Sequence, residues 1–444
     1  MRHLVLCSKS PWIPAMRREH AIAESAWANG LTVDFVESPA DVRSLRTVGA
    51  REWARRWSGP VADRSPRPSV AGDPLRGLTR WVRTTPVPGH RLRLAATLDN
   101  SSLARVLRSI IGRRGEPCVL VATLPWQWQA LGWAHRVVPG CRRVFDAADD
   151  WTALLGGGRS HVHEAYRRIA AEADEVIVAN PGLGSLFEDR AVSLVPNGVP
   201  TAQVASRAVP QPGARRMIYI GTLSERFDLS LVERVLELLP DWTLDVYGPC
   251  RYAGLGERAP SELFDAQDRS GRRLRWHGLL EPSGIPEVVD GADVAVLPHR
   301  AEQGRGQSSM KLLQYAARGR PIVSTDWDPD GSSGVPSVRV ARSAEEFARA
   351  VQEAAVCGDR EAEGVLAWAR RQTWQERWPA WWAAASGSAS RGDLPRGDAT
   401  RSEAIWADVT RTDVTRGDGS AVRVGRGGSS TVPWPRAAEV PWVV

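Results

Sequence analysis

The chain has 444 residues, 43% hydrophobic and 25% charged, which is ordinary for a soluble globular protein and long enough for two domains with full cores. No apolar run approaches the roughly 18 residues of a membrane-spanning helix, and the five scattered cysteines, with no C-x-x-C pair, argue against a disulfide framework or a zinc site. A net charge of +7 suits contact with nucleic acid, an anionic membrane or a phosphorylated substrate without choosing among them, and the only lysines among the basic residues are Lys9 and Lys311.

From the start to about residue 205, strand-like and helix-like segments alternate. His3 to Cys7 is apolar and strand-like, so the chain start reads as a first strand rather than a targeting segment, and a cytoplasmic protein is expected. Ala15 to Ala28 has helical character and ends at Asn29-Gly30, and Leu31 to Val36 alternates as a second strand. That order implies a parallel sheet. Further strands are expected at Cys118 to Ala122, Arg142 to Phe145, Glu175 to Ala179 and Val192 to Val195, with helices near 126–137, 160–172 and 182–188. Ser58 to Gly89, rich in Pro, Gly and Arg, reads as a long irregular connection.

Pro210 to Gly213 reads as a linker, after which the alternation restarts. Strands are expected at Met217 to Ile220, Leu244 to Tyr247, Leu274 to His277, Val294 to Leu297, Ile322-Val323 and Val338 to Ala341, with helices at Leu229 to Leu239, Ile285 to Asp290 and Ala344 to Ala355. The expected fold class is therefore α/β, with two tandem Rossmann-like domains over 1–209 and 214–359. In 360–385, Trp374, Trp378, Trp381 and Trp382 recur at helix spacing and read as a core stripe packed on both domains, with Pro379 expected to kink or break the helix. Residues 386–444, rich in Gly, Ser, Arg, Asp and Thr, read as a disordered tail.

Gly304 to Thr325 carries the strongest ligand signal. A glycine-serine loop leads into a helical pattern from about Ser308 to Ala317, breaks at Gly319-Arg320-Pro321 and ends in a buried strand. Free N–H groups and the positive dipole end at such a helix start favour an anion, and Lys311 in the first turn adds a cation that only a negative partner repays.

The ordered set I-Y-I-G-T-L (Ile218 to Leu223), L-D-V-Y-G-P (Leu244 to Pro249), W-H-G (Trp276 to Gly278), A-D-V-A-V-L-P (Ala292 to Pro298) and M-K-L-L-Q-Y-A-A-R-G-R-P-I-V-S-T (Met310 to Thr325) resembles the donor domain of glycosyltransferase family 4, a GT-B fold family. Val195 to Val199 resembles that family's turn at the end of the acceptor domain. Phe145 to Trp151 and Ala173 to Ile177 resemble its bacterial cell-surface polysaccharide branch, which includes teichuronic acid enzymes. The resemblance covers roughly residues 1–385 and implies two domains facing across a cleft, with a nucleotide-diphosphate sugar on the second and a glycan or lipid-linked acceptor on the first. It also implies retention at the anomeric carbon, no obligatory metal and no cofactor besides the donor substrate.

Glycosyl transfer needs the leaving diphosphate stabilised, and fixed cations or backbone N–H groups are the usual means. Lys311 is the first choice for that contact and Arg226 the second, although Arg226 also has Glu225 and Asp228 as surface partners. The resemblance lays the rest of the donor against Gly221, Thr222, Gly248, Gln307, Ser308, Ser309, Met310, Leu312 and Gln314. Family members carry glutamate where Gln314 stands and an acidic residue where Gly306 stands, so Gln314 is read as a weakened ribose contact or as an ordinary polar helix residue. On the first domain, Lys9 lies in the loop Ser8 to Trp12, where it serves a phosphate by charge or is a plain surface lysine. Asp149 and Asp150 follow a strand end, where one of them orients or deprotonates an acceptor hydroxyl, or both shape a turn or helix cap.

Ser102 to Arg114, with Leu103, Val106, Leu107 and Ile110 on one face, and Arg51 to Trp57 have the pattern of basic amphipathic helices that lie on anionic lipid at the inner membrane face, although most helices of this kind are domain-surface helices with a buried face. No module points to nucleic acid. Two rivals remain: a weakened or inactive GT-B protein that binds a nucleotide or glycan, motivated by Gln314 and Gly306, and another GT-B enzyme such as a sugar-nucleotide epimerase.

Overall fold

The computed structural model describes the chain except residues 13–16, 43–48, 59–60, 64–76, 88, 90, 138–139, 156–159, 188–189, 225, 251–260, 301–309, 326–333 and 389–444. The expected disordered tail and the site residues Gln307, Ser308 and Ser309 therefore lie outside the described residues.

The first domain contains β1 (His3–Cys7), α1 (Arg18–Ala28), β2 (Thr32–Val36), α2 (Ala50–Ser58), β3 (Val61–Asp63), β4 (Leu78–Val82), α3 (Arg93–Arg114) and β5 (Val119–Ala122). It continues with α4 (Trp128–Val137), β6 (Arg142–Ala147), α5 (Trp151–Leu154), α6 (Ser160–Glu172), β7 (Glu175–Val178) and β8 (Ser193–Leu194). Its eight-stranded sheet has the order β3-β4-β2-β1-β5-β6-β7-β8. All neighbours run parallel except β3 against β4. The central strands are buried on both faces, as a parallel sheet covered by helices requires.

The second domain contains β9 (Arg216–Ile220), α7 (Leu229–Leu238), β10 (Thr243–Tyr247), α8 (Ser261–Arg269), β11 (Leu274–Trp276), α9 (Ile285–Asp290) and β12 (Val294–Leu297). It continues with α10 (Met310–Ala316), β13 (Ile322–Thr325), β14 (Val338–Ala341) and α11 (Ala344–Arg370). Its six strands form a parallel sheet in the order β11-β10-β9-β12-β13-β14. The order reverses beside β9 and β12, and a doubly wound sheet opens its ligand crevice at the carboxyl ends of such strands.

The sequence reading needs correction at three places. Ser58 to Gly89 contains β3 and the parallel strand β4; Trp81 Nε1 donates to the buried Asp34 Oδ1 at 2.7 Å, and Arg80 pairs with Glu37 at 2.5 Å. Polar partners hold β4 between β3 and β2, which is why its hydrophobic pattern is faint. The expected lipid-facing side of Ser102 to Arg114 is core: Leu103, Val106, Leu107 and Ile110 are buried under the first sheet. Pro379 neither breaks nor ends its helix. The break falls at 371–373, and α12 (Trp374–Ser386) runs through Pro379, where both the proline and Gln375, whose carbonyl loses its N–H partner, face solvent.

The tryptophans of α12 are packed on the first domain. Trp374, Trp378 and Trp381 share a core with Leu4, Leu6, Phe35, Val121 and Val195, whereas Val365 and Trp368 of α11 belong to the second core. Arg18 Nε and Nη2 donate to Asp146 Oδ2 and Oδ1 at 2.7 and 2.8 Å, and Trp381 Nε1 donates to Asp146 Oδ1 at 3.1 Å. The Arg18 guanidinium also lies 5.3 Å from the Trp374 ring centroid. A parallel bridge pairs Val199 with Thr373 where the chain passes between the domains. Gly198 is required there, since a Cβ would lie 2.9 Å from Trp374 N.

Candidate active site

On the second domain, the loops after β9, β10 and β12 converge on Lys311. Gly221 N donates to Tyr247 O at 2.8 Å, and a Cβ on Gly248 would stand 2.1 Å from Gly221 O, so the two glycine turns lie directly against each other. A Cβ on Gly221 would meet Lys311 Cε at 2.1 Å: the lysine stem occupies the space that glycine leaves. Lys311 Nζ stands 5.5 Å from the Tyr219 ring centroid, a cation–π contact. Among the described residues the ammonium has no carboxylate partner. Burial, and then the charge of Arg226, lower its pKa to about 8.

Arg226 is held close by its backbone. Arg300 N donates to Arg226 O at 2.9 Å, and Asp228 N donates to Pro298 O at 2.8 Å, tying the β9 loop to the β12 loop. Asp228 is engaged at the start of α7, where Oδ1 accepts from Leu231 N at 3.1 Å. Gly221, Thr222, Gly248, Arg226 and Lys311 thus share one end of the sheet. Met310 packs partly buried on the core and Leu312 is buried in it, so the Leu312 side chain serves packing. Gln314 is half-buried on α10.

The first domain presents a second polar cluster at the carboxyl ends of β1 and β6. Lys9 Nζ and Asp149 Oδ2 are 2.5 Å apart, with 13% and 26% of their side chains exposed, so the pair sits at the rim of the sheet. Burial disfavours the Lys9 ammonium, but Asp149 and Glu19 outweigh it and raise its pKa. Burial likewise works against charge on Glu19, yet Lys9, His20, Arg17 and the Ser10 hydroxyl bring it down to about 2. Ser10 Oγ donates to Glu19 Oε1 at 2.6 Å, and Gln127 Nε2 donates to Ser8 O at 3.1 Å, fixing the β1 loop. The two aspartates differ sharply. Asp150 Oδ1 accepts from Thr152 N at 2.8 Å and Ala153 N at 3.1 Å, capping α5. Asp149 carries the carboxylate left at the rim.

Sequence reasoning missed Tyr219 and His299. Tyr219 looked like one more apolar strand residue, and His299 followed Pro298 with no motif of its own. Their meeting is long-range, with Tyr219 Oη 3.1 Å from His299 Nε2.

Residues 214–355 match the family described as Glycosyl transferases group 1. No curated protein matches the chain in sequence. Among solved structures, sucrose-phosphate synthase from Thermosynechococcus elongatus aligns with a TM-score of 0.59 at 13% identity over 87% of this chain and 97% of its own. α,α-Trehalose 6-phosphate synthase from Burkholderia multivorans aligns with a TM-score of 0.59 at 12% identity over 88% of this chain and 100% of its own. The Anabaena HepE protein, solved in complex with UDP, gives the same TM-score of 0.59, identity of 12% and coverage of 88% and 100%. The two sheets thus form a GT-B fold, and its second domain is the part of the chain similar to Glycosyl transferases group 1.

Proposed function

We propose that the protein is a glycosyltransferase that moves a sugar from a nucleotide-diphosphate sugar on the second domain to a glycan or lipid-linked acceptor on the first. The observation that carries this reading is Lys311, its stem packed against the Gly221 turn with no described carboxylate beside it and with Arg226 near enough for its charge to lower the lysine pKa. Two fixed cations in a partly dehydrated corner stabilise the charge that grows on a departing diphosphate. Asp149 orients the acceptor hydroxyl, with Lys9 holding its carboxylate. The HepE complex with UDP-glucose supports a nucleotide sugar as donor. Retention at the anomeric carbon, action without a metal or further cofactor, and a place in cell-surface polysaccharide synthesis at the cytoplasmic side complete the proposal.

A panel of UDP-, GDP- and ADP-sugars read by thermal shift tests it, followed by nucleotide release with oligosaccharide and lipid-linked acceptors. Stabilisation by one donor and acceptor-dependent release are expected; no stabilisation by any donor overturns the reading. Stabilisation without release by any acceptor favours the non-catalytic alternative that Gln314 motivates. Gln314→Glu is expected to tighten the nucleotide by about tenfold, as a charged acceptor replaces a neutral one at the ribose. Unchanged affinity removes Gln314 from that site.

For a lipid-linked acceptor, the membrane-facing surface is the start of α3. Leu92, Leu94 and Leu98 are 62%, 71% and 36% exposed beside Arg91 and Arg93, the latter paired with Glu164 of α6. A crossover helix begins at the carboxyl edge of its sheet, so this apolar and basic patch flanks the acceptor loops. Flotation with phosphatidylglycerol vesicles is expected to carry the protein, with weaker recovery on phosphatidylcholine and loss of binding for Leu94→Asp. Equal recovery of wild type and variant on anionic vesicles excludes this surface. Among the described residues, no helix is long and apolar enough to cross a membrane.

A further inference from the structure

His299 is 9% exposed and lies where the β12 loop meets the β9 loop that carries Arg226. The groups facing it come from four directions. Tyr219 of β9 meets it edge to face, ring centroids 5.7 Å apart, with Oη 3.1 Å from Nε2. Phe227, beside Arg226, bridges it antiparallel. Thr325, at the end of β13, accepts from His299 N at 3.1 Å and donates to His299 O at 2.5 Å. Among the described residues, Lys311 of α10 and Arg226 are charged groups close enough to act on it.

These contacts form a chain toward the ligand corner. Tyr219 Oη donates to Thr222 O, in the Gly221 turn, at 3.3 Å. With that proton committed, Oη can only accept from His299, so the contact is Nε2–H donating to Oη; this tautomer follows from the hydrogen-bond pattern. The Tyr219 ring is then fixed in the plane over which Lys311 Nζ stands. On the other side, backbone bonds to Pro298 and Arg300 hold the Arg226 loop. Burial, Lys311 and Arg226 keep the imidazole neutral, so it braces Tyr219 without adding a third repelling cation.

We infer that His299 is a positioning residue for the donor diphosphate, its side chain fixing Tyr219 beneath Lys311. This rests on the donor-site reading above and adds a residue that never touches the sugar. The distinctive consequence is selective: grip on the diphosphate depends on His299, while grip on the nucleoside and its first phosphate does not.

The test compares dissociation constants of UDP with UMP, GDP with GMP and ADP with AMP for wild type, His299→Leu, His299→Gln and Tyr219→Phe, with far-ultraviolet circular dichroism to confirm folding. Wild type is expected to prefer one diphosphate over its monophosphate. His299→Leu should cut that preference by about tenfold and leave monophosphate binding within about twofold, the loss of one ordering hydrogen bond. His299→Gln, which retains a side-chain N–H, should recover most of the preference. Tyr219→Phe, which removes the link from its other end with little change in volume, should reproduce the loss even if the leucine variant fails to fold. Preference intact in Tyr219→Phe, or weakened equally for both phosphorylation states in His299→Leu, overturns the positioning role alone. A wild type with no diphosphate preference overturns the donor-site reading beneath it.

Discussion

Replacing Lys311 with alanine will lower kcat/KM for the nucleotide sugar by about 100-fold, the range found when one preorganised charge-stabilising donor is removed from a developing anion. Most of the loss will be in kcat, because charge accumulates on the diphosphate as the glycosidic bond breaks. The lysine also gives donor binding a particular pH dependence. In the free protein its pKa is about 8, set by burial and then by Arg226. A bound diphosphate favours the ammonium and raises that pKa. Below pH 8 the lysine is protonated in both states, and its contribution to affinity is constant. As pH rises past 8 the free protein loses a proton that the complex retains, so the dissociation constant climbs by up to about tenfold per pH unit. Titrating UDP binding between pH 7 and 10 in wild type and Lys311→Ala separates this from other groups: the climb should vanish in the variant. A variant with unchanged turnover, or with the same climb, would show that Lys311 does not meet the diphosphate.

Asp146→Ala is expected to destabilise the folded protein by about 3–5 kcal/mol, the cost of leaving one partner of a buried ion pair uncompensated. Arg18 and Asp146 are 3% and 1% exposed, and alanine at 146 strands the guanidinium and the Trp381 N–H together. The remaining acceptors of Arg18 are Val195 O at 2.9 Å and Asn197 Oδ1 at 3.2 Å, both neutral. The double variant Arg18→Met with Asp146→Leu should cost far less than Asp146→Ala, because no buried charge remains unpaired. Urea unfolding followed by tryptophan fluorescence measures both. A loss below about 1 kcal/mol for Asp146→Ala would place the pair with weak surface salt bridges.

What the sequence made legible follows from how each element earns its stability. β1, β12 and β14 match their expected bounds because apolar runs in the first two and a Val-Arg-Val alternation in the third suffice to define them. Lys311 stood out as one of two lysines, beside a turn where a cation needs an anion. β4 did not stand out: Trp81 and Arg80 secure it through Asp34 and Glu37, and polar pairing of that kind leaves no period-2 hydrophobic signature. Asp149 and Asp150 were adjacent and equivalent in sequence, and only the start of α5 separates a capping carboxylate from one at the sheet rim. His299 and Tyr219 were invisible for a different reason. Their pairing joins residues 80 positions apart, and a single histidine after a strand carries no periodicity to reveal it.

The return of α12 to the first sheet makes the second domain an insertion. Chain leaves the first domain at Val199 and re-enters it at Thr373, and the neck is closed by Val199 N donating to Gln372 O at 2.9 Å and Trp374 N donating to Val199 O at 3.1 Å. Removing residues beyond Arg370 would strip the host domain of Trp374, Trp378 and Trp381 while leaving the guest domain's sheet whole. From its neck beside the loops that follow the strands, α12 runs to the opposite edge, where Arg142 at the start of β6 donates to Ala385 O at 3.0 Å. A reporter or surface tether fused behind Ser386 is thereby delivered to the rear of the host sheet, a full strand's length from the loops bearing Lys9 and Asp149.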